Sequence, residues 1–310
     1  MQIGFIGLGT MGASMAANAQ KAGHQLVVTD LRRQAAARHI AAGAIWADTP
    51  QAVAAQVEVV FTSLPGPPEV EAVALGTDGL LAGIRPGAAW FDLSTNSPNL
   101  MRKIHAAFAQ KGAHALDAPV SGGPRGAASG KLAIWVGGEQ AVFDQWKPVL
   151  DAIGDQARYV GPIGAGSVAK LVHNMFGYIM TTGLAEVFSM GGKAGIEPLA
   201  IWEAVRQGAI GRRGAFDAMP DQFLPDQYEP AAFALRLAHK DVSLACQLGR
   251  EMGVPMRLAN LVQAEMTEAM GRGWAEKDSR VAMKLQTERA GVEIKVDPQR
   301  LAEAVEGMRR

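Results

Sequence analysis

The sequence predicts two domains of different class. An α/β domain built on a parallel sheet occupies residues 1–162, and an all-helical domain occupies 163–310, its first element a long connecting helix at 165–193. Three observations predict this. Short apolar runs alternate with amphipathic stretches through the first half of the chain, the pattern of βαβ units. After about Pro162 the strand pattern stops and only helical segments follow. The 310 residues also exceed the size at which one hydrophobic core keeps growing.

In chain order, Ile3–Ile6, Leu26–Thr29, Val57–Thr62, Ala88–Leu93 and Leu132–Val136 read as strands. Met11–Ala22, Gln34–Ala42 and Leu100–Lys111 read as helices between them. Thr49-Pro50 supplies an N-cap hydroxyl followed by a proline at the first helical position, and Gly23, Gly43 and Gly112 stand where a residue ends a helix. The second half carries helical segments at 165–193, 198–208, 231–252, 255–272 and 279–291. A last helix opens at Asp297-Pro298 and ends on Arg309 and Arg310, cations at the negative pole of its dipole. No internal repeat or low-complexity linker separates the halves, so the long helix itself is the expected connection.

Composition narrows the function classes. Thirty basic residues balance thirty acidic ones without a basic stripe or tail, which argues against a nucleic-acid partner. The uncharged run Leu171–Ala185 is too short and too polar to span a membrane. The N-terminus is apolar but lacks the basic start of a secretory signal, and the single cysteine, Cys246, cannot form an internal disulfide. A cytoplasmic protein is the expectation. Cys246 lies among Leu244, Ala245 and Leu248 and reads as a packed thiol.

The segment IGFIGLGTMG places Gly7, Gly9 and Gly12 after a strand and at the start of a helix. That is G-x-G-x-x-G in the context that gives it meaning: a tight turn, close backbone approach, and a helix N-terminus facing a pyrophosphate. Asp30 closes the next strand, where an acidic residue accepts hydrogen bonds from the adenosine ribose. Its carboxylate repels a 2′-phosphate and favours NAD over NADP. Arg32 and Arg33, just beyond it, pull the other way.

Further candidates lie where strands end. In DLSTNSP, Ser94 and Thr95 stand at the carboxyl end of a strand, the edge at which ligands of open α/β sheets bind; a hydroxyl there also suits a helix cap before Pro98. In DAPVSGGPRGAASGKL, Ser121, Gly122 and Gly123 offer a hydroxyl and freely placed backbone N–H groups to an anion, or form a flexible glycine loop. Lys170 and Asn174 are four residues apart on one face of an otherwise apolar helix. An ammonium in apolar surroundings has a lowered pKa and serves as proton donor or acceptor near neutrality; an isolated lysine would otherwise extend its head to solvent. His173 has no second ligand at metal spacing, so no metal is expected.

Four separated motifs, GFIGLGTMG, DAPVSGGPRGAASG, GAGSVAKLVHN and LAHKDVSLA, together resemble the β-hydroxyacid dehydrogenase family from residue 1 to about residue 290. The resemblance implies a Rossmann-type NAD-binding domain, a long connecting helix and an all-helical C-terminal domain that carries much of a homodimer or homotetramer contact. It implies cofactor contacts at Gly7, Leu8, Gly9, Thr10, Met11, Gly12 and Asp30, with Leu64, Pro65 and Thr95 as a second wall and Lys240 near the nicotinamide end. Ser121, Gly122 and Gly123 resemble the loop that holds a substrate carboxylate, and Phe233 falls where a helical-domain side chain closes the pocket. Lys170 matches the family's catalytic lysine and Asn174 its substrate-orienting asparagine. The implied activity is NAD(P)-dependent oxidation of a small, anionic β-hydroxy acid to its semialdehyde or keto form.

The chain also departs from the family pattern. Lys131 replaces a small hydroxyl residue common there, and His173 stands where a second asparagine is common. Arg212 and Arg213 lie in the segment that usually lines the pocket, suited to a second anionic group or to solvent. Two rival activities share the architecture. Imine reductases typically replace the lysine, and non-catalytic NAD(P)-binding scaffolds usually lose it and gain basic or reader segments. This chain keeps Lys170, Asn174 and Lys240 and adds no such module. Phosphogluconate dehydrogenases, with related motifs, need a longer helical domain.

Overall fold

The computed structural model describes all residues except 213, 215–218, 292, 309 and 310. The chain forms two compact units, Met1–Phe176 and Gly177–Arg310, which divide within the long helix, Ala165–Lys193.

The first unit is built on a sheet of nine strands: β1 Gln2–Ile6, β2 Gln25–Thr29, β3 Ile45–Trp46, β4 Val59–Thr62, β5 Ala89–Asp92, β6 His114–Asp117, β7 Val120–Ser121, β8 Ala133–Gly137 and β9 Gln156–Gly161. Their order is β3-β2-β1-β4-β5-β6-β8-β7, with β9 paired to β8. From β3 to β6 every pairing is parallel, in the 3-2-1-4-5-6 order of a Rossmann-type dinucleotide-binding domain. β8 turns antiparallel to β6 and β7.

β4 and β5 are buried at every position, because helices cover both faces of a parallel sheet. Side chains alternate between two cores. On one face Phe5, Phe61 and Phe91 stand in register across β1, β4 and β5, with ring centroids 6.4 and 5.5 Å apart. On the other, Trp90 packs on Phe108 of helix Pro98–Gln110 at 5.3 Å, beside Val27 and Val60. The sequence-predicted caps take their places: the Thr49 hydroxyl accepts from Ala52 N at 3.1 Å, and Gly23, Gly43 and Gly112 have φ of 88°, 91° and 67°.

Helices build the second unit: Pro198–Gln207, Ala209–Arg212, Leu235–Glu251, Arg257–Gly271, Met283–Arg289 and Pro298–Met308, with the last part of the long helix. Its core gathers Tyr228, Leu235, Ala269, Val281 and Leu285. Two carboxylates organise its backbone. Glu186 of the long helix accepts from Leu258 N at 2.7 Å and Ala259 N at 3.3 Å, capping helix Arg257–Gly271. Buried Asp278 accepts from Ala232 N, Phe233 N and Arg280 N, which delays the helix expected from 231 until Leu235. The Asp297 carboxylate accepts from Gln299 N and Arg300 N, the expected cap; Arg309 and Arg310 lie outside the described residues. Among the described residues, no helix is long and apolar enough to cross a membrane.

Candidate active site

The glycine loop begins where β1 ends. Gly7 has φ of 87°, and a Cβ there would lie 2.3 Å from the Ser63 carbonyl oxygen; a Cβ on Gly12 would lie 1.9 Å from that of Gly7. These two glycines close the turn. Gly9 differs: a Cβ there would meet nothing within 4 Å. Its bare backbone faces open space beside the first turn of helix Gly12–Lys21, the cradle into which a pyrophosphate fits. The residues present therefore fit a dinucleotide. Gly12→Ala is expected to destabilise the fold by about 2 kcal/mol or more, since backbone must move. Gly9→Ala should leave the unfolding temperature near wild type and weaken dinucleotide binding roughly tenfold. Thermal unfolding and a dinucleotide titration of each variant check both.

Asp30 ties the loop to β2. Its carboxylate accepts from Leu8 N at 2.7 Å and from Arg32 N at 2.8 Å. The Leu8 side chain is buried, Met11 packs against the same core, and Thr10 is exposed. Arg33 stacks its guanidinium over the Trp46 ring, 5.4 Å from the centroid.

The facing loops follow β4 and β5. Leu64 N donates to the Ser94 hydroxyl at 2.9 Å, while Pro65 and Thr95 are exposed beside them. Beneath lies Asp92, fully buried. It accepts from the Thr62 hydroxyl at 2.9 Å, Ser94 N at 3.2 Å and the Asn96 amide at 3.0 Å, and burial raises its pKa against the pull of those bonds. The strand-end hydroxyl and the helix cap prove to be different residues: Ser94 braces Leu64, and Ser97 caps helix Pro98–Gln110.

At the end of β6, buried Asp117 holds the start of the long helix. Its carboxylate accepts from Gly164 N at 2.7 Å and from Ser167 N. Burial raises its pKa, opposed by these two bonds. This latch places Lys170 one turn further on.

Lys170 is partly buried, and desolvation lowers its pKa. Among the described residues it has no hydrogen-bond or ion-pair partner. His173 and Asn174, three and four residues on, share its helix face. His173 Nε2 lies 3.3 Å from the Ser121 hydroxyl, its Nδ1 lies 3.1 Å from Asn174 Oδ1, and its ring packs on Trp135 with centroids 5.2 Å apart. The anion-loop candidate Ser121 and the helix-face candidate Asn174 are thus joined through a residue that sequence alone left unassigned. Gly122 and Gly123 follow Ser121 with φ of 137° and 61° and are exposed, as is Lys131.

The remaining candidates belong to the second unit. Phe233 is 45% exposed, its N–H held by Asp278 at 3.2 Å, and Arg212 is exposed at the end of its short helix. The side chains of Lys240 and Asp241, and the whole of Arg213, lie outside the described residues. Among the described residues no group of three histidine, cysteine or acidic side chains is placed to hold a metal.

Residues 2–161 match the family described as the NAD binding domain of 6-phosphogluconate dehydrogenase. Residues 164–286 match that described as the NAD-binding part of NADP-dependent 3-hydroxyisobutyrate dehydrogenase. The chain is 35% identical over 294 residues to a 2-(hydroxymethyl)glutarate dehydrogenase of Eubacterium barkeri, covering 95% of this chain and 97% of the relative. A solved 3-hydroxyisobutyrate dehydrogenase of Mycobacterium tuberculosis, with L-serine, aligns at a TM-score of 0.64 and 30% identity over 92% of this chain and 98% of its own. An imine reductase from Myxococcus stipitatus aligns at a TM-score of 0.76 over 91% of this chain and 98% of its own; at 20% identity, that likeness is one of fold alone.

Proposed function

The chain belongs to the β-hydroxyacid dehydrogenase family, and from that premise we propose that it interconverts a small β-hydroxy acid and its semialdehyde or keto form, with Lys170 as general acid and base. The observation that carries this reading is Lys170 itself: partly desolvated, without a partner among the described residues, and on one helix face with Asn174. A bound nicotinamide dinucleotide supplies the hydride acceptor in oxidation and the hydride donor in reduction.

The chain's own residues do the rest. The Lys170 amine takes the hydroxyl proton onto Nζ during oxidation; in reduction the ammonium polarises the carbonyl and returns that proton. Lowering of its pKa by desolvation raises the fraction of neutral amine available as base. Ser121, Gly122 and Gly123 hold the carboxylate, and Asn174 orients the hydroxyl toward Nζ. Fixing the carboxylate sets which carbon stands at the lysine, and positioning of this kind contributes several kcal/mol to barrier lowering, about 7–11 at its upper range. Thr95, Leu64 and Pro65 wall the cofactor, Lys240 serves its nicotinamide end and Phe233 the substrate pocket.

The cofactor in this reading is NAD. Asp30 stands where a 2′-phosphate would be repelled, and Arg33 is engaged with Trp46. We expect kcat/KM with NAD to exceed that with NADP; a higher value with NADP would overturn the role given to Asp30. Large apolar residues of the long helix, Val172, Met175, Ile179 and Leu184 among them, are 53–59% exposed, which supports a homodimer or homotetramer.

Reduction of NAD and of NADP against hydroxyisobutyrate, glycerate, serine, threonate, hydroxybutyrates and a sulfonate analogue tests the activity. Turnover of at least one acid is expected. Reduction of a cyclic imine with NADH or NADPH, and turnover of none of the acids, would replace this reading with imine reduction, and tight NAD binding without any turnover would replace it with a scaffold.

A further inference from the structure

We infer that His173 is a positioning residue whose charge decides whether the Ser121 hydroxyl presents a proton or a lone pair to the substrate carboxylate. This inference rests on the hydroxy-acid reading above. Asn174 Oδ1 accepts only, so the imidazole nitrogen facing it at 3.1 Å, Nδ1, carries a proton. The other ring nitrogen faces the Ser121 hydroxyl at 3.3 Å, a group able to donate or accept.

Two states follow. With the imidazole neutral, Nε2 is a lone pair and takes the Ser121 proton; the serine then turns only lone pairs outward, toward an anion it repels. With the imidazole charged, Nε2–H donates to Ser121 Oγ, and the serine O–H is free to donate to a carboxylate. The Asn174 NH₂ remains an outward donor in both. A carboxylate therefore prefers the charged state, and by linkage its binding favours protonation of His173.

The groups facing the ring in the Met1–Phe176 unit are few. Ser121 approaches from β7 and the Trp135 indole from β8; Asn174 and, one turn back, Lys170 lie on the same helix. Among the described residues no carboxylate is hydrogen-bonded or ion-paired to the ring.

The test uses isobutyrate, a carboxylate without the reacting hydroxyl, as inhibitor of the nucleotide-saturated enzyme between about pH 5.5 and about pH 8. The wild-type inhibition constant should rise roughly tenfold with pH, the size of one lost charge-assisted hydrogen bond. His173→Asn should bind with a flat profile. Ser121→Ala should be flat as well, and weaker throughout. For His173→Asn the larger share of the kinetic effect should fall in KM rather than kcat.

A flat wild-type profile would overturn the inference, and so would a slope that survives in His173→Asn. A slope that survives in Ser121→Ala would reduce the effect to plain charge and overturn the role of the hydroxyl. If the hydroxy-acid reading fails, no β-hydroxy acid is turned over and the inference falls with it. If the inference alone fails, Lys170-dependent turnover is present while isobutyrate inhibition is absent or indifferent to residue 173.

Discussion

Lys170→Met is expected to lower turnover of the preferred hydroxy acid by about 10²–10⁴-fold, the usual worth of a positioned general base. The methionine side chain fills similar volume without the amine, and Lys170 has no partner among the described residues whose loss would unsettle the fold. Unfolding temperature and dinucleotide affinity should therefore stay near wild type. That combination separates loss of chemistry from loss of structure. Steady-state kinetics with a dinucleotide titration of the same preparation checks it, and turnover within a few-fold of wild type would remove Lys170 from the reaction.

The second large effect is structural and lies one helical turn earlier. Asp117→Ala deletes the carboxylate that accepts from Gly164 N and Ser167 N at the start of the long helix. Both donors are buried, and each buried donor left unsatisfied costs about 1–3 kcal/mol. A loss of about 2–6 kcal/mol follows, together with loss of activity, because the first turn that positions Lys170 is no longer latched to β6. Denaturant unfolding measures the first and turnover the second. Asp117→Asn keeps one acceptor but turns an NH₂ against a backbone donor, so it should recover only part of the stability. Stability of Asp117→Ala within about 0.5 kcal/mol of wild type would deny the latch.

Parts of the fold that a local pattern dictates were legible in the chain. β1, β2, β4, β5 and β8 are apolar runs bounded by turn residues, and the apolar length of the helix at 165–193 marked it in full. What was not legible depends on partners distant in sequence. β6, His114–Asp117, carries a histidine and an aspartate in four residues; β9, Gln156–Gly161, has no fully buried position; β3 and β7 are two residues each. They are strands because a neighbouring strand offers a ladder, not because their composition demands one. The helix expected at Gln34–Ala42 divides into a 3₁₀ turn, Arg33–Ala36, and a short α-helix, Ala37–Ala41.

The site divides in the same way. The glycine loop and Asp30 stand out because spacing and residue type are both constrained by backbone geometry. Lys170 stands out because an ammonium in an apolar helix needs a reason. Asp92 and Asp117 did not, since a strand-end carboxylate looks alike whether it braces a loop, latches a helix 47 residues away or faces solvent. His173 was visible only as a departure, and its link between Ser121 and Asn174 needed the fold to bring residues 52 apart together.

If the neutral Lys170 amine is the base of oxidation, the pH profile of turnover follows its deprotonation. Desolvation lowers the Lys170 pKa from the ordinary 10.5, so the neutral form appears at lower pH than for a solvated lysine. Oxidation at saturating substrate and nucleotide should therefore rise with pH through a limb below the ordinary lysine range. The reverse reduction should fall through the same limb, because there the ammonium is the donor. In Lys170→Ala the limb should be absent from both directions. An identical limb in the wild-type and Lys170→Ala proteins would show that another group takes the proton.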